Sequence, residues 1–567
     1  MQSQQNLNQM LQKALALHQQ GLIKEAQMIY AQILKVQPKH FDALQLSGAI
    51  AIQTKDFKQC VKLLSKALQI KKNYAPTYYN LGIALHELNK FDEAIANYDQ
   101  AIQLDHHYIQ AFNGLACALK ELKRFEDAIA YFDRAVTLNP SYAEAYNNMG
   151  LVRHELKEYN AAIDNYEKAI SIKPDYFEAF YNKGIAQIGL KQFDAAISNF
   201  KQSLNLKSDF AKAHNGLGHA NQELKQFATA IANYEEAIHL DPNFADACWN
   251  KSLLKILLGE YQEGWALYER RWEGSKFKKE FRNFKQPVWL GESSIHNKTI
   301  LIHAEQGLGD SIQFCRYISM IESLAPKQII LEVPKALMSL LSTLNSKMML
   351  LEKGQPIPKF DVHCPMMSLP HAFKTTVNTI PAQTPYLYAD KNKAMYWTKK
   401  LRVQKNPRIG IVWSGSSNHK NDHNRSLSLK QFAPIFELPF DFHSLQKEIK
   451  AMDLETLNNL KQIQPHQDDL IDFSDTAALI ENLDIVITVD TSVAHLAGAM
   501  GKKIFILLPF VPDYRWMLDR NDSPWYPTAT LFRQPKLDDW ESVIDQIKVI
   551  LQGDLSSTNP HSSESGS

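Results

Sequence analysis

The chain has 567 residues, of which 45% are hydrophobic, 10% aromatic and 22% charged. This composition excludes a mainly disordered chain and predicts more than one domain. The 62 lysine and arginine residues nearly balance the 61 aspartate and glutamate residues, and the formal net charge is +1. The sequence therefore lacks the global basic field that attracts nucleic acid or an anionic membrane, and we expect no nucleic-acid partner.

The first residues of the chain and its apolar stretches indicate where in the cell we expect the protein. The first ten residues, MQSQQNLNQM, lack a basic segment followed by an apolar stretch. No window reaches the roughly 18 consecutive apolar residues of a membrane helix. Five cysteines are scattered without a CxxC pair, which argues against a disulfide framework and a structural zinc site. We therefore predict a cytoplasmic protein with no membrane span, no bound metal and no cofactor.

The strongest signal in the first half of the chain is a period of 34 residues. One small position recurs at this step: Ala14, Gly48, Gly82, Ala116, Gly150, Gly184, Gly218 and Ser252. A large, mostly aromatic position follows at a fixed distance: Tyr30, Leu64, Tyr98, Phe132, Tyr166, Phe200, Tyr234 and Tyr268. Apolar residues at helical spacing on both sides of a polar turn predict one helical hairpin per unit, with the aromatic stripe in the core.

This pattern resembles the tetratricopeptide repeat, in about eight units from residue 7. The resemblance implies an α superhelix of helical hairpins over residues 1–272, with a concave surface that binds a protein partner. One row of side chains is a candidate lining for a peptide groove: Asn80, Asn148, Asn182 and Asn250. Each amide offers a donor and an acceptor to a peptide backbone. The alternative is that asparagine is merely tolerated at solvated helix positions.

The period fails near residue 272, and a basic, aromatic stretch at 273–298 is interpreted as a junction. Short β-branched runs then alternate with helix-length segments, which predicts parallel βαβ units. The expected strands are Thr299–His303, Gln328–Val333, Arg408–Trp413, Phe442–Leu445, Ile485–Val489 and Ile504–Leu508. We expect two Rossmann-like α/β lobes, 299–390 and 408–552, a polar crossover at 391–407 and a disordered tail at 553–567.

The first informative loop is HAEQGLGDSIQFCRY. A strand ends at His303, and Gly307 and Gly309 allow a tight backbone path into a helix that starts near Asp310. Ligands favour this end of a parallel strand. Asp310 is therefore a candidate general base for an acceptor hydroxyl, although aspartate is also a preferred helix N-cap.

The second loop is IVITVDTSVAHLAGAMGKK. A buried strand is followed by Asp490, Thr491 and Ser492 and then by a helix of small residues. Amides at the start of this helix and the two hydroxyls can bind a phosphate or diphosphate. The alternative is that Asp490 or Thr491 only caps the helix and that His495 is a core histidine.

This second loop resembles the pattern of glycosyltransferase family 9, the ADP-heptose:lipopolysaccharide heptosyltransferases. The matching positions are Asp490, Thr491, Ser492, His495, Leu496, Ala497, Ala499 and Gly501, and Lys503 stands where the family usually has proline. Leu308, Gly309 and Asp310 are similar to the acceptor-side motif of the family. The resemblance implies a two-lobed GT-B domain that inverts the anomeric centre without a metal, with a nucleotide-diphosphate sugar as donor and Asp310 as base.

Two further groups of residues are assigned by the same resemblance, and a third by its aromatic and basic composition. Ser414, Ser416 and Arg425 match the loop that contacts the phosphates, with Arg425 in place of the family's lysine. Lys447 lies near the nucleoside, although Gln446 or Glu448 fits the same place. Arg515 and Trp516 are candidates for a platform under a sugar or base. The alternative is that this aromatic stretch locks the lobes together or docks the repeats.

The leading hypothesis is a glycosyltransferase whose repeats recruit a protein acceptor or partner, in which Asp310 takes the acceptor proton and Arg425 stabilises the departing diphosphate. A second hypothesis is a tetratricopeptide scaffold with an inactive glycosyltransferase-like domain. A third is another nucleotide-diphosphate enzyme, such as an epimerase, on the same fold.

Overall fold

The computed structural model describes residues 2–274, 280–344, 346–401, 406–417 and 421–558. The chain divides into two compact units, Met1–Ala220 and Asn221–Ser567. The division falls inside a helix of the repeat array, and the last repeats therefore belong to the second unit.

The first unit is an array of antiparallel helical hairpins. Its helices are α1 (Gln2–Gln19), α2 (Ile23–Val36), α3 (Phe41–Gln53), α4 (Phe57–Ile70), α5 (Ala75–Glu87), α6 (Phe91–Leu104), α7 (Ile109–Glu121), α8 (Phe125–Leu138), α9 (Ala143–Glu155), α10 (Tyr159–Ile172), α11 (Phe177–Gly189) and α12 (Phe193–Leu206). Helix α13 (Ala211–Glu223) crosses the boundary between the units. The predicted array of helical hairpins is confirmed.

The small and large positions of the repeat face each other inside each hairpin. A Cβ atom at Gly150 would lie 2.5 Å from the ring of Tyr166, and one at Gly184 would lie 2.7 Å from the ring of Phe200. Both rings are fully buried. A small residue is therefore needed where the two helices approach, and it is glycine at these two positions. The predicted core role of the aromatic stripe is confirmed.

Each hairpin turn carries one residue in the left-handed region, always at the same phase of the repeat. In the first unit these residues are Gly21, Lys55, Asn89, Lys123, Lys157 and Lys191, with φ between 58° and 77°. A side chain in this region costs roughly 1–2 kcal/mol. The tight turn is thus kept even where lysine occupies the strained position.

The second unit begins with the last repeat helices and continues into an α/β domain. Its repeat helices are α14 (Phe227–Leu240), α15 (Ala245–Leu257) and α16 (Tyr261–Tyr268), followed by a 3-10 helix, Glu269–Glu273. The α/β helices are α17 (Leu308–Phe314), α18 (Ile318–Ser323), α19 (Met338–Leu341), α20 (Leu369–Ala372), α21 (Lys391–Lys400), α22 (Asp422–Arg425), α23 (Leu429–Phe432), α24 (Ala451–Asn459), α25 (Phe473–Glu481), α26 (Ser492–Ala499) and α27 (Trp540–Thr558).

Two parallel sheets form the core of this domain. The first has β1 (Thr299–His303), β2 (Gln328–Val333), β3 (Met348–Glu352) and β4 (Val362–Pro365), in the order β3-β2-β1-β4. The second has β5 (Arg408–Val412), β6 (Asp441–Ser444), β7 (Ile463–Gln464), β8 (Ile485–Val489), β9 (Lys503–Leu508) and β10 (Ala529–Arg533), in the order β10-β9-β8-β5-β6-β7.

The strand order reverses once in each sheet, between β1 and β4 in the first and between β5 and β8 in the second. A crevice opens at the carboxyl ends of the strands at such a point. All six predicted strands are present, within one residue at each end. The strands that sequence reasoning missed are β3, β4, β7 and β10, and each is short or lies at a sheet edge, where the apolar pattern is weakest.

Two of the predicted boundary segments contain structure of their own, and the predicted disorder of the tail needs correction up to Thr558. The junction at 273–298 packs onto the first sheet, where Trp289 is buried and its amide donates to the carbonyl of His363 at 2.7 Å. The crossover at 391–407 begins with α21, whose N-cap Asp390 accepts from the amide of Lys393. The last helix continues past 553 to Thr558 because Leu555 packs against the core of the second sheet. Residues 275–279, 402–405 and 559–567 lie outside the described residues.

Arg316 ties the two sheets together. Its buried guanidinium donates to the carbonyl of Trp525 at 2.7 Å and to the hydroxyl of Tyr386 at 2.8 Å. It follows α17 on the side of the first sheet, whereas Trp525 lies between β9 and β10 of the second. A buried cation without these partners would be strongly destabilising, so the bonds fix the sheets relative to each other. Within the described residues, no helix is long and apolar enough to cross a bilayer.

The close approach of hairpin helices gives a stability prediction. We expect Gly150→Val to lower the free energy of unfolding by about 1–3 kcal/mol, because the new side chain overpacks the ring of Tyr166. Urea denaturation followed by circular dichroism measures the change. The control is Gly553→Val, since a Cβ at Gly553 meets no atom within 4 Å. Equal stability of the two variants would contradict the packing described here.

Two buried histidine pairs predict a pH dependence of stability. His303 lies 3.2 Å from His363, and His443 lies 3.0 Å from His466. Burial, reinforced by the neighbouring histidine, lowers the pKa of His303 and of His443 to about 3. The folded state thus binds fewer protons than the unfolded state, whose histidines titrate near pH ~6.5. The contribution of these two histidines to the free energy of unfolding is fully present above pH ~6.5 and is lost as the pH falls toward 3.

We expect His443→Asn to make the melting temperature less sensitive to acid than in the unmodified protein. Differential scanning fluorimetry between neutral pH and about pH 5, just below the unfolded-state pKa, measures both curves. The control His296→Asn changes an exposed histidine in the same unit. Parallel curves for all three proteins would show that the buried pair carries no such linkage.

Candidate functional site

The two loops singled out by sequence meet in the structure. The first precedes α17 at the end of β1, and the second precedes α26 at the end of β8. A Cβ at Gly309 would lie 2.8 Å from the ring of His495 and 3.4 Å from Cα of Ser492. Glycine at position 309 therefore permits the two loops to touch, and they enclose a common cleft.

One half of the cleft is a polar cavity of about 320 Å³. Its charged lining consists of Asp310, Arg425, Asp490, Asp513 and Arg515. Hydroxyl and ring groups complete the wall: Ser416, Thr491, Ser492 and His495. The structure thus brings the predicted catalytic pair and most of the predicted diphosphate-binding residues to one place.

The other half is an apolar cavity of about 330 Å³. It shares Leu308, Gly415, Ser416, Thr491 and Ser492 with the polar cavity. Its own walls are mainly Val412, Leu445, Leu470, Phe473 and Val493. The cleft therefore combines an apolar cavity with an adjoining polar one.

Asp310 lies at the start of α17 and is held at both carboxylate oxygens. Oδ2 accepts from the amide of Gly307 at 2.8 Å, and Oδ1 forms an ion pair with Arg515. Burial raises the pKa of Asp310, while Arg515 and the Gly307 amide oppose the rise. The N-cap of α17 is Gly307, so the alternative that Asp310 is the N-cap is wrong. Asp310 lies at the third helical position, binds the N-cap amide through its side chain and also lines the cavity.

Arg515 connects the two sides of the cleft. Besides Asp310, it donates from Nε to Gln313 at 2.7 Å and from Nη1 to Asp513 at 2.8 Å. Arg515 is only 8% exposed among these partners. Its guanidinium is therefore fixed in place beside the candidate base. Sequence reasoning missed Asp513, which lies two residues before Arg515.

Arg425 reaches the second loop from α22. Its Nη1 donates to the carbonyl of Asp490 at 2.8 Å, and its Nε has no hydrogen-bond partner within the described part of the chain. A Cβ at Gly415 would lie 2.6 Å from its Nη2. The guanidinium thus lies against the backbone of Gly415 at the cavity wall and forms an ion pair with Asp422 at 3.5 Å.

The start of α26 points its amides at both cavities. Thr491 occupies the N-cap position but its side chain makes no capping hydrogen bond, so the interpretation as a simple side-chain cap is wrong. Its Oγ1 lies 3.1 Å from Oγ1 of Thr488. Burial, reinforced by Asp513, raises the pKa of Asp490. The helix start therefore offers backbone donors to an anion.

His495 is a core histidine whose edge reaches the cavity. It is 4% exposed, its Nδ1 lies 2.9 Å from the hydroxyl of Tyr526, and its ring stacks on Trp516 at 5.5 Å. Burial, followed by the charge of Arg515, lowers its pKa, so the ring is neutral at pH 7. Trp516 is completely buried and lines neither cavity. Its predicted role as an open platform is wrong, because this ring packs under His495.

Ser414 and Lys447 line the apolar cavity. Ser414 is buried and bonded to Gln446, whose Nε2 donates to the serine carbonyl at 2.9 Å. Lys447 is exposed and donates to the carbonyl of Gln467 at 2.8 Å. Sequence reasoning missed Phe473 in this wall, although the Asp-Phe-Ser-Asp run that caps α25 was a usable signal for a helix start.

The asparagine row forms bonds between neighbouring repeats. Asn148 donates to Oδ1 of Asn113 at 3.2 Å, and Asn182 donates to Oδ1 of Asn147 at 2.9 Å. Asn80 is half-buried in the first unit, and Asn250 belongs to the second. The row thus has a structural role in the array whether or not it contacts a peptide.

The described residues contain no group of three or more His, Cys, Asp or Glu side chains that could hold a metal ion. Within the described residues, the cations that line the polar cavity are the guanidinium groups of Arg425 and Arg515, and Lys447 lines the apolar cavity.

Removal of Arg515 tests the electrostatics of the cleft. We expect Arg515→Met to lower the free energy of unfolding by about 2–4 kcal/mol, because Asp310 and Asp513 lose their common cation. The pKa of Asp310, followed by carbon NMR of the carboxylate, should rise further. Arg520→Met is the control, since its pair with Asp522 is exposed and contributes about 1 kcal/mol or less. An unchanged pKa of Asp310 in the Arg515→Met variant would contradict the ion pair between Arg515 and Asp310.

Comparison with known proteins identifies the repeats. Models of the tetratricopeptide repeat match residues 75–108, 109–142, 177–210 and 211–244, and a TPR repeat model matches residues 151–190.

Protein FlbA of Caulobacter vibrioides is 24% identical over 329 residues, which cover 53% of this chain and 54% of FlbA. The chain thus spans about half the length of this curated relative. Among solved structures, YrrB, titled a TPR protein with an unusual peptide-binding site, has 22% identity and a TM-score of 0.29, and covers 34% of this chain and 100% of its own. MamA of Desulfovibrio magneticus has 22% identity and a TM-score of 0.28, and covers 30% and 96%. The matched segments within residues 75–244 are tetratricopeptide repeats.

Proposed function

We propose that the α/β domain is a GT-B glycosyltransferase that moves a sugar from a nucleotide-diphosphate donor to an acceptor hydroxyl, with inversion and without a metal. The observation that carries the proposal is the meeting of two distant motifs at one cleft. Asp310 and the Asp490–His495 loop line the same cavity although they lie on different sheets. The position at the strand ends, where the order of the second sheet reverses, is the usual ligand crevice of such folds.

The division of the cleft suits a nucleotide sugar. The apolar cavity accepts a base and ribose against Leu445 and Phe473. The diphosphate then lies at the shared wall, where Ser416, Thr491 and Ser492 border both cavities. The sugar extends into the polar cavity beside Asp310. Ser414 supports this wall through Gln446, and Lys447 stands at the rim.

Charge stabilisation comes from groups already on the cleft wall. Arg425 lines the polar cavity and pairs with Asp422 at 3.5 Å through Nε, which makes no hydrogen bond within the described residues. The amides at the start of α26 carry the positive end of the helix dipole. Both interact most strongly with the diphosphate once the bond to the sugar has broken. Arg425 therefore stabilises the departing nucleoside diphosphate.

Asp310 is the base of the proposed reaction. The acceptor oxygen attacks the anomeric carbon, the bond from that carbon to the diphosphate oxygen breaks, and the acceptor proton passes to the Asp310 carboxylate. Each carboxylate oxygen has two lone pairs, so the bonds to Arg515 and Gly307 leave acceptor sites open. Burial raises the pKa of Asp310, which strengthens it as a base, while Arg515 keeps it ionised. Arg515 therefore acts beside the base and not as a sugar platform.

The repeats recruit a protein acceptor or partner in this proposal. Tetratricopeptide arrays expose an extended surface suited to a peptide or protein. Asn148 and Asn182 lie on that array with amide groups that already bridge repeats. The second candidate function is a scaffold whose α/β domain binds without catalysis, and the matches to repeat models favour the protein-binding part of both candidates.

Calorimetric titration with nucleoside diphosphates tests the donor site. We expect one nucleotide to bind, and at 100 times its dissociation constant to stabilise the protein by about 2.7 kcal/mol. Arg425→Gln should weaken binding by about tenfold or more, since charge-assisted hydrogen bonds contribute about 1.5–3 kcal/mol. Lys430→Gln is the matched control, because this cation lies outside both cavities.

Asp310→Asn separates the two candidates. The transferase proposal expects nucleotide binding to persist while transfer, measured as release of nucleoside diphosphate with an acceptor present, is lost. Binding without transfer in the unmodified protein would favour the scaffold. Absence of any nucleotide binding would refute both the donor site and the transferase.

A further inference from the structure

The last repeat hairpin contacts the loop that leads into α17, the helix that carries Asp310. This hairpin consists of α15 and α16 with the following 3-10 helix, residues 245–273, and lies within the second unit. The loop runs from Ala304 to Gly307 between β1 and α17. Two consecutive residues of the loop, Glu305 and Gln306, are bound by side chains of the hairpin.

Arg271 makes the first connection. Its Nε and Nη2 donate to the carboxylate of Glu305 at 3.0–3.2 Å, and Nη2 also donates to Ser368 at 2.8 Å. Glu305 in turn accepts from the amide of Met367 at 3.0 Å. Arg271 is 1% exposed. A buried, bidentate pair of this kind is geometrically strict, and each partner is costly to leave alone.

Tyr268 makes the second connection. Its hydroxyl accepts from Nε2 of Gln306 at 2.9 Å, and its ring makes an edge-to-face contact with Trp265 at 5.5 Å between centroids. Trp265 packs edge-on against Phe314 of α17 and against Tyr514. Tyr514 directly precedes Arg515, so the hairpin touches both elements that hold the Asp310 carboxylate.

We propose that this hairpin is part of the catalytic apparatus, with Arg271 and Tyr268 as positioning residues that hold the loop of residues 304–307 and thereby place Asp310 in the cleft. The inference rests on the proposed transferase function. From Glu305 the chain reaches Gly307, whose amide binds Asp310 Oδ2, so a shift of the loop is passed to the base. The diphosphate site on α22 and α26 has no such link to the hairpin among the bonds described above, so the hairpin controls the transfer step more than donor binding.

The test uses the full chain with Tyr268→Phe, which removes one hydroxyl, and Arg271→Lys, which keeps the charge but loses the bidentate geometry. A third variant, Arg271→Met with Glu305→Gln, removes the pair and the fully buried carboxylate charge. Glu269, the second and partly exposed partner of Arg271, keeps its hydrogen bond from Ser368. The matched control is Arg270→Met, since the neighbouring arginine is partly exposed and paired with Glu273 on the surface. Hydrogen exchange of the free protein is measured first, because it needs no ligand.

We expect exchange of amides 305–310 to rise in the Tyr268 and Arg271 variants, while amides 490–495 and the Arg270→Met control stay unchanged. Turnover should fall by about tenfold or more, because a misplacement of about 1 Å is costly for a catalytic group. The KM for the donor and the affinity for nucleoside diphosphate should change less than about twofold, and Arg271→Lys should retain more turnover than the Arg271→Met double variant.

Unchanged exchange of the loop in all three variants overturns the inference, whatever the activity. Raised exchange with unchanged turnover also overturns it, since the loop would then be held for stability alone. If the unmodified protein binds no nucleotide, the transferase proposal fails, and the exchange data still decide whether the hairpin holds the loop.

Discussion

The guanidinium of Arg515 is the charge on which the cleft depends. It is almost completely removed from water, and such a cation is tolerated only where carboxylates and carbonyl groups replace the lost hydration. Asp310 and Gln313 of α17 supply part of this replacement, and Asp513 supplies the rest. The partners come from both sheets, so the same charge that balances the candidate base also sets how closely the two strand ends approach. Arg316, which follows α17 in the chain, likewise connects the two sheets through its guanidinium.

Much of the architecture could be predicted from the sequence because the same burial requirement recurs. Each repeat hides one small and one large side chain at fixed positions, so the period of 34 residues is visible without any structure. The central strands β1, β2, β5, β8 and β9 are buried on nearly every residue and read as continuous apolar runs. Strand β7 has two residues and β3 is partly exposed, so neither leaves a clear pattern.

The site was predictable as a location more than as a set of contacts. Asp310, Arg425 and the Asp490–His495 loop converge because carboxyl ends of parallel strands share an edge. Local sequence does not encode where a side chain points after a loop has packed against another sheet. Trp516 and Arg515 are neighbours in sequence, yet the ring turns into the core under His495 and the guanidinium turns to Asp310. The pairing of Arg271 with Glu305 could not be predicted for the same reason, because the two residues are 34 positions apart in sequence.

The division of the chain inside α13 has an evolutionary consequence. Repeats that lie before the division can be duplicated or deleted in whole units, because every hairpin presents the same small and large positions to its neighbour. The final hairpin cannot be exchanged in this way, because Arg271 and Tyr268 bind the loop of residues 304–307 in the α/β domain. Recombination can therefore adapt the reach of the array to new partners while the terminal hairpin stays fixed as an adaptor.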